Sequence, residues 1–399
     1  MNKLSAIGVK IPDILLPANC DSAKWACIAC DQYTSQPEVW LEAEQIVGDA
    51  PSTLRIVLPE VWLEQADARI PGIHACMRDY LTQVLTTAIH GFTLTARTTQ
   101  SGCRKGLVIA IDLEQYDYSR GSKSRVRATE GTILSRIPPR QKVRRGAPLE
   151  SPHVMLLIDD KDRTVIEPLY AALSAKEPAY DAQLHQNMGR LTGWAVTDEA
   201  LLTQVSDALT ALDNARGDAP LFAVGDGNHS LATAKACWEE IKANLKPEEM
   251  ENHPARFALV EVVNLYDEAL AFEPIHRVIV NVNADELLPL LSAAQTDANA
   301  PVTFITEKGD VQLKGLPVHV LQPLLDDYLA AHPDAEIDYV HGDDAARTLG
   351  SKPGACSLLL TTLDKLQLFP AVAQGPLPRK AFSMGEANEK RSYYECRAL

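Results

Sequence analysis

No stretch of the 399-residue sequence approaches the length of uninterrupted apolar chain that crosses a bilayer. Residues 1–10 also lack the apolar run of a secretory signal. The expectation is a soluble, cytoplasmic protein without a membrane partner. Low-complexity tracts and internal repeats are missing too. Cysteine is present but not as a framework: eight residues are scattered at 20, 27, 30, 76, 103, 237, 356 and 396. Cys27 and Cys30, with Cys20 upstream, have the spacing of half a zinc site, yet no second pair or His-rich segment completes it. In the apolar run Trp25–Cys30 they read as buried strand thiols. Also missing are a Gly-x-x-x-x-Gly-Lys-(Ser/Thr) loop, the protein-kinase motif set, a Gly-x-Ser-x-Gly elbow and a paired-cysteine nucleophile.

What is present is a chain 46% hydrophobic, enough for a sizeable core and, by length, two or three structural units. The formal net charge of −15 argues against general affinity for nucleic acid. That acidity is uneven. Arg120, Lys123, Arg125, Arg127, Arg136, Arg140, Lys142, Arg144 and Arg145 form a basic island whose one acid is Glu130. Such an island suits an anionic small molecule better than a long polyanion. It also fits a solvated loop paired with surrounding acids, and the sequence leaves both readings open.

Periodicity predicts strands near Trp25–Ala29, at Leu54–Leu58, Gly91–Thr98, Gly106–Leu113, His153–Ile158, Leu221–Val224 and Phe257–Val263. Helices are predicted at 75–90, Ala200–Leu212 and Leu231–Leu245, and a short one near Thr132–Ile137 within an island broken by Pro138-Pro139. Beyond residue 285 helical and strand patterns alternate again. No clean βαβ repeat emerges, so the fold class expected is α/β (α+β) with a mixed sheet. The expected domains are an N-terminal portion at 1–115, a catalytic portion at 116–284 and a C-terminal portion at 285–399.

The most informative stretch runs from Leu221 to Lys235 through Gly225-Asp226-Gly227-Asn228-His229-Ser230. An apolar strand ends in glycines that permit tight turning, and Asn228 or Ser230 is placed to cap the following helix. Asp226 and His229 thus arrive at a strand's carboxyl end and a helix's amino end, where unpaired amides favour a phosphate or carboxylate. An Asp three residues from a His serves as metal ligand, general base or orienting pair. An Asp-Gly turn with a capping Asn and a satisfied His is the equally available structural reading.

This stretch resembles the Asp-Gly-(His/Asn)-His-(Arg/Ser) motif of the bacterial and archaeal family catalogued as domain of unknown function 1015. Phe272–Arg277 is similar to that family's Pro-x-His-Arg segment. Arg127–Thr132 is similar to its His-Glu-x-Thr segment, with Thr129 where many members have His. Pro12–Pro17 and the run from Trp25 to Pro37 resemble the opening of one branch, and Phe382–Arg391 resembles that branch alone. The Asp-Gly-x-His motif is in turn similar to that of free serine kinases of the ParB/sulfiredoxin-like superfamily. The resemblance implies a ParB/sulfiredoxin-like core with additional domains, and phosphoryl transfer from a nucleotide to a small hydroxyl-bearing metabolite such as serine. Asp226 and His229 match the motif's Asp and His, and Glu130 is the candidate for its upstream acid. Asn228 and Ser230 replace the kinases' His and Arg, which removes a phosphate clamp.

On this reading Glu130 is general base, Asp226 orients the acceptor or holds Mg²⁺, and His229 with the helix terminus binds phosphate oxygens. Gly225, Gly227, Asn228, Ser230, Arg127, Arg136, His276 and Arg277 make up the rest of the phosphate and nucleotide site. The donor is ATP, ADP or pyrophosphate, accompanied by Mg²⁺. Two other readings use the same residues: a metal-dependent phosphohydrolase or nuclease, and a non-catalytic nucleotide-sensing ParB-like regulatory module. Asp31 at a strand end is a further candidate for the cleft wall. His341–Asp344 reads as a helix start, and Arg391–Arg397 as a docked tail.

Overall fold

The computed structural model describes residues 2–34 and 36–399. Met1 and Ser35, the latter within the opening motif, lie outside the described residues. Two compact units emerge. The first takes in the chain through Ala271 together with Val372–Gly375 and Glu386–Leu399; the second comprises Phe272–Ala371 and Pro376–Gly385.

The first unit is built on a ten-stranded mixed sheet. Its strands are β1 (Val9–Lys10), β2 (Phe92–Thr99), β3 (Gly102–Asp112), β4 (Tyr116–Asp117), β5 (Val126–Ala128), β6 (Met155–Ile158), β7 (Tyr180–Gln183), β8 (Arg190–Val196), β9 (Phe222–Asp226) and β10 (Phe257–Asn264). The order is β7-β8-β2-β3-β10-β6-β9-β5-β4, with β1 pairing on β3. Three neighbours run parallel, β6 with β10, β9 with β5 and β5 with β4, and the rest antiparallel. This is the mixed-sheet α/β architecture expected from the sequence.

Both faces of the sheet are covered, which is why β3 and β10 read as continuous apolar runs. Leu107, Ile109 and Ile111 of β3 enter one core with Val205 and Leu209 and with Leu231 and Trp238. These come from the helices α3 (Glu199–Ala215) and α4 (Asn228–Lys242), so named after α1 (Ala66–Gln83) and α2 (Ile137–Arg144). Val108 faces the other way, into a core shared with Ile73, Met77 and Tyr80 of α1 and with Tyr393, Tyr394 and Cys396 of the C-terminal segment.

Several local expectations need correction. The helix expected at 75–90 is α1, which begins earlier and ends at Gln83; Thr87–His90 pairs as a strand with Asp13–Leu16. Leu85 and Ile89 keep helical spacing, but sheet pairing decides their conformation. Leu54–Leu58 is not a strand: Thr53–Arg55 is a 3-10 turn started by Ser52, whose side chain accepts from Leu54 N. Trp25 closes a short helical turn, and only Cys27–Ile28 is strand. Pro138 and Pro139 do not break the island. They fall in the first turn of α2, where a missing N–H costs nothing.

The second unit has its own five-stranded antiparallel sheet, ordered Gly309–Leu313, Val302–Thr306, Ala355–Leu360, His276–Val280 and Glu336–Val340. Its core gathers Ile279, Leu287, Phe304, Leu321, Leu325 and Leu358. Among the described residues of either unit, no helix is long and apolar enough to cross a membrane.

Candidate functional site

β5 and β9 are neighbouring parallel strands in the register Val126–Phe222, Arg127–Ala223 and Ala128–Val224. β9 ends in Asp226, while its neighbour β5 ends at Ala128, opposite Val224, and Glu130 follows two residues further along the chain. Between the strand ends, the Thr129 hydroxyl, fully buried, donates to Val224 O at 2.6 Å. β9 then turns through Gly227, whose φ of 84° is left-handed, and α4 begins at Asn228. A Cβ on Gly227 would lie 3.0 Å from Val154 Cγ2 and 3.1 Å from Val154 Cα. This position therefore requires glycine twice over, for its dihedral angle and for its close approach.

The helix start differs from expectation. The N-cap is Gly227 and no side chain caps it; Asn228 is the first helical residue, and its Nδ2 donates to Thr129 Oγ1 at 3.4 Å. The first intrahelical bond is Leu231 N to Gly227 O at 3.0 Å. The amides of Asn228, His229 and Ser230 precede it, in the turn an α-helix leaves without internal acceptors. Asn228 Oδ1 and Thr132 Oγ1 are buried without a hydrogen-bond partner among the described residues. Buried polar atoms of this kind call for a ligand or water.

His229 Nε2 accepts from Ile133 N at 3.2 Å, so the neutral ring carries its proton on Nδ1. The acceptor bond draws the loop after Glu130 onto the helix start. β6 runs antiparallel to β9 with a bulge between Met155 and Leu156, where Met155 faces Asp226. That pairing brings His153 and Val154 to the same end of the sheet.

Around His153 lies a second polar group. Cys30 N donates to Tyr393 Oη at 3.2 Å, and Tyr393 Oη lies 2.8 Å from His153 Nδ1. Tyr393 Oη thus bridges Cys30 N and His153 Nδ1, and His153 Nε2 lies 4.0 Å from Asp31 Oδ2. Burial pushes the Asp31 carboxyl up, but His153, the Gln32 side chain and Lys390 outweigh it and hold Asp31 below the ordinary carboxylate value. Lys390 Nζ stands 4.0 Å from Asp226 Oδ1, with only 8% of its side chain exposed. One ammonium thus links Asp226 electrostatically to the Asp31 cluster.

Arg127 is buried and donates to Ser124 O at 2.8 Å and Asp218 O at 2.7 Å, in loops at the amino ends of β5 and β9. Arg136 is exposed at the start of α2. His276 and Arg277 belong to the second unit. There His276 Nε2 lies 2.9 Å from Asp343 Oδ1 and its Nδ1 accepts from Leu360 N at 3.1 Å. Arg277, fully buried, donates to Gln322 Oε1 at 3.0 Å and sits over the Tyr339 ring. Six of the nine island cations meet acids: Lys123 with Asp218, Arg125 with Asp213, Arg140 with Glu60, Lys142 with Asp67, Arg144 with Glu150 and Arg145 with Glu240. For those six the paired-surface reading holds.

Sequence reasoning missed Lys390. Its local signs were the charged triplet Glu389-Lys390-Arg391 and its place in Phe382–Arg391, the stretch that resembles one branch of the family.

A mixed α/β sheet with acids at adjacent parallel strand ends and a glycine-initiated helix beside them describes the class of protein. The chain belongs to the family described as "Protein of unknown function (DUF1015)", whose sequence model matches residues 16–357. No curated protein matches it. Among solved structures it is similar to a free serine kinase in complex with AMP, at 10% identity and a TM-score of 0.39, over 72% of this chain and 90% of that one. It is also similar to SbnI with a C-terminal truncation from Staphylococcus aureus, at 8% identity and a TM-score of 0.36, over 73% and 82%. A conserved hypothetical protein from Pyrococcus furiosus matches at 12% identity and a TM-score of 0.36, over 73% and 94%.

Proposed function

We propose that the protein is a phosphotransferase that moves a phosphoryl group from ATP, ADP or pyrophosphate to the hydroxyl of a small metabolite. Serine is the first candidate, by the motif's resemblance. The observation that carries this reading is Asp226 at the carboxyl end of β9, directly ahead of the glycine-initiated amino end of α4, with Glu130 following the neighbouring parallel strand β5. Glu130 takes the acceptor's hydroxyl proton as the new O–P bond forms. The bond from phosphorus to the donor's bridging oxygen breaks, and its electron pair leaves on that oxygen. Asp226 orients the acceptor. The first-turn amides of α4 and Nδ1–H of His229 receive phosphate oxygens, an arrangement suited to charge that is already present and only needs positioning.

The fit to Mg²⁺ is limited. Among the described residues no group of three or more His, Cys, Asp or Glu side chains is arranged to hold a metal ion. A divalent ion would therefore come with the donor's phosphates, Asp226 being its protein ligand, and would neutralise phosphate charge.

Purified protein with Mg²⁺, a panel of free amino acids and each donor, followed by phosphorus NMR, tests the proposal. A phosphorylated amino acid is expected in the wild type and is lost in Asp226→Asn and His229→Ala. Glu130→Gln should lower kcat by about 10²–10⁴-fold, the usual contribution of a general base. Folded wild-type protein that forms no new phosphorus species with any acceptor would sink it. Phosphate release without an acceptor would favour the hydrolase, and nucleotide binding without chemistry the sensor.

A further inference from the structure

The phosphate site needs a fixed cation, and most of the basic island is engaged with other partners. Ser230 occupies the motif position where an arginine would stand, six island cations face acids, and Arg127 bonds carbonyls at the opposite strand ends. Beside Asp226 stands Lys390, which is buried and lies outside the stretch matched by the family model.

We propose that Lys390 is the phosphate-binding cation of this site, delivered by the C-terminal segment; this rests on the phosphotransferase reading. Its position is held from both sides. Arg97 donates to Asn388 O at 3.0 Å, Arg104 to Glu389 O at 3.0 Å, and Ser101 N and Oγ to the Glu389 carboxylate. On the other side, Arg391 forms buried ion pairs with Glu261 at 2.8 Å and Glu395 at 2.6 Å, and donates to Pro152 O at 2.9 Å. Ala29 N donates to Arg391 O at 3.0 Å, and Ser392-Tyr393 pairs as a strand with Cys27-Ile28. A surface lysine has no such scaffold.

Burying an ammonium is costly unless it is paired, and Asp226 supplies an acid 4.0 Å from Lys390 Nζ. Lys390, directly ahead of the stretch that reads as a docked tail, therefore completes the site chemically, with a charge that preorganises it for a polyphosphate before any ligand arrives.

Calorimetric titration of the full chain with ADP and with pyrophosphate tests this, using the wild type, Lys390→Met, Lys390→Gln, Lys390→Arg and the control Lys235→Met. Lys235 sits on α4 between Glu114 and Glu239, away from the proposed contact. Both neutral variants are expected to bind both probes about ten- to a hundredfold more weakly, as loss of a charged hydrogen bond implies. Lys390→Arg should recover most of that, and the control should match the wild type. Unchanged binding in a folded neutral variant overturns the inference, as does a wild type that binds neither probe. Failure of both neutral variants to fold while Lys390→Arg folds would make Lys390 a structural counter-ion and also overturn it. If the wild type forms a phosphorylated product while the neutral variants bind ADP normally, this inference falls and the proposed function stands. Charge-dependent ADP binding with no product from any acceptor gives the reverse.

Discussion

At the level of single residues, the turn at Gly227 decides whether Asp226 and His229 share a site. Its φ of 84° and its contact with Val154 leave no room for a side chain. Gly227→Ala is therefore expected to cost about 1–3 kcal/mol in stability through left-handed strain alone. Relief of the Val154 clash should also shift the start of α4, so activity should fall more than stability does. A urea denaturation curve and kcat/KM on the same preparation check both; normal values of each would show that the turn tolerates a Cβ. Glycine and aspartate at a strand end are visible in sequence because their conformational demands are local. The acceptor bond from Ile133 N to His229 Nε2 was not visible, because it joins residues 96 positions apart.

Among the elements, α4 and β9 were readable because their apolar periodicity is strong, but the helix starts at Asn228 and ends at Lys242, three residues ahead of Leu231–Leu245, and the strand runs on through Gly225 to Asp226. Thr87–His90 and Thr53–Arg55 were not, since short apolar runs fit helix, strand or turn until a partner strand is present. The C-terminal segment is the extreme case. Tyr394 stacks on Tyr180 at 3.9 Å between ring centres, Trp25 Nε1 donates to Tyr394 O at 2.8 Å, and Arg391 bridges two buried acids. Removing one member of a buried ion cluster leaves charges uncompensated. Arg391→Met should therefore destabilise the first unit by about 3–5 kcal/mol, measured as a lower urea midpoint. It should also raise proteolytic release of the segment. A variant as stable as the wild type would mean that apolar packing alone docks the tail.

For the whole molecule, the net charge of −15 conceals many specific pairings, and the buried ones set its response to acid. Burial pushes the Glu261 carboxyl up, but Arg391, Arg104 and the Thr95 hydroxyl hold it below its ordinary value of 4.5. Glu150 is likewise pushed up by burial and held down by Arg397 and Arg144. A carboxylate with a depressed folded-state pKa contributes stability above its unfolded value, and that contribution is lost as pH falls through the folded one. Thermal midpoints should thus vary little from these two groups above about pH 4.5 and drop below it. Glu261→Gln should start from a lower midpoint at pH 7 and lose less on acidification. Parallel midpoint curves for wild type and variant would remove Glu261 from the account.

The sequence by itself determined the mixed α/β class, the family motifs, and the turn that presents Asp226 ahead of a helix. Each rests on periodicity or on glycine's dihedral freedom, which act over a few residues. Only the tertiary structure decided that β5 lies parallel beside β9, since that register is set between strands far apart in the sequence. It also decided that most of the basic island is paired with acids from distant parts of the chain. Above all, it brought Lys390 to Asp226 across 164 positions, 390 less 226, because buried partners for Arg391 and Glu389 exist only once the sheet has formed.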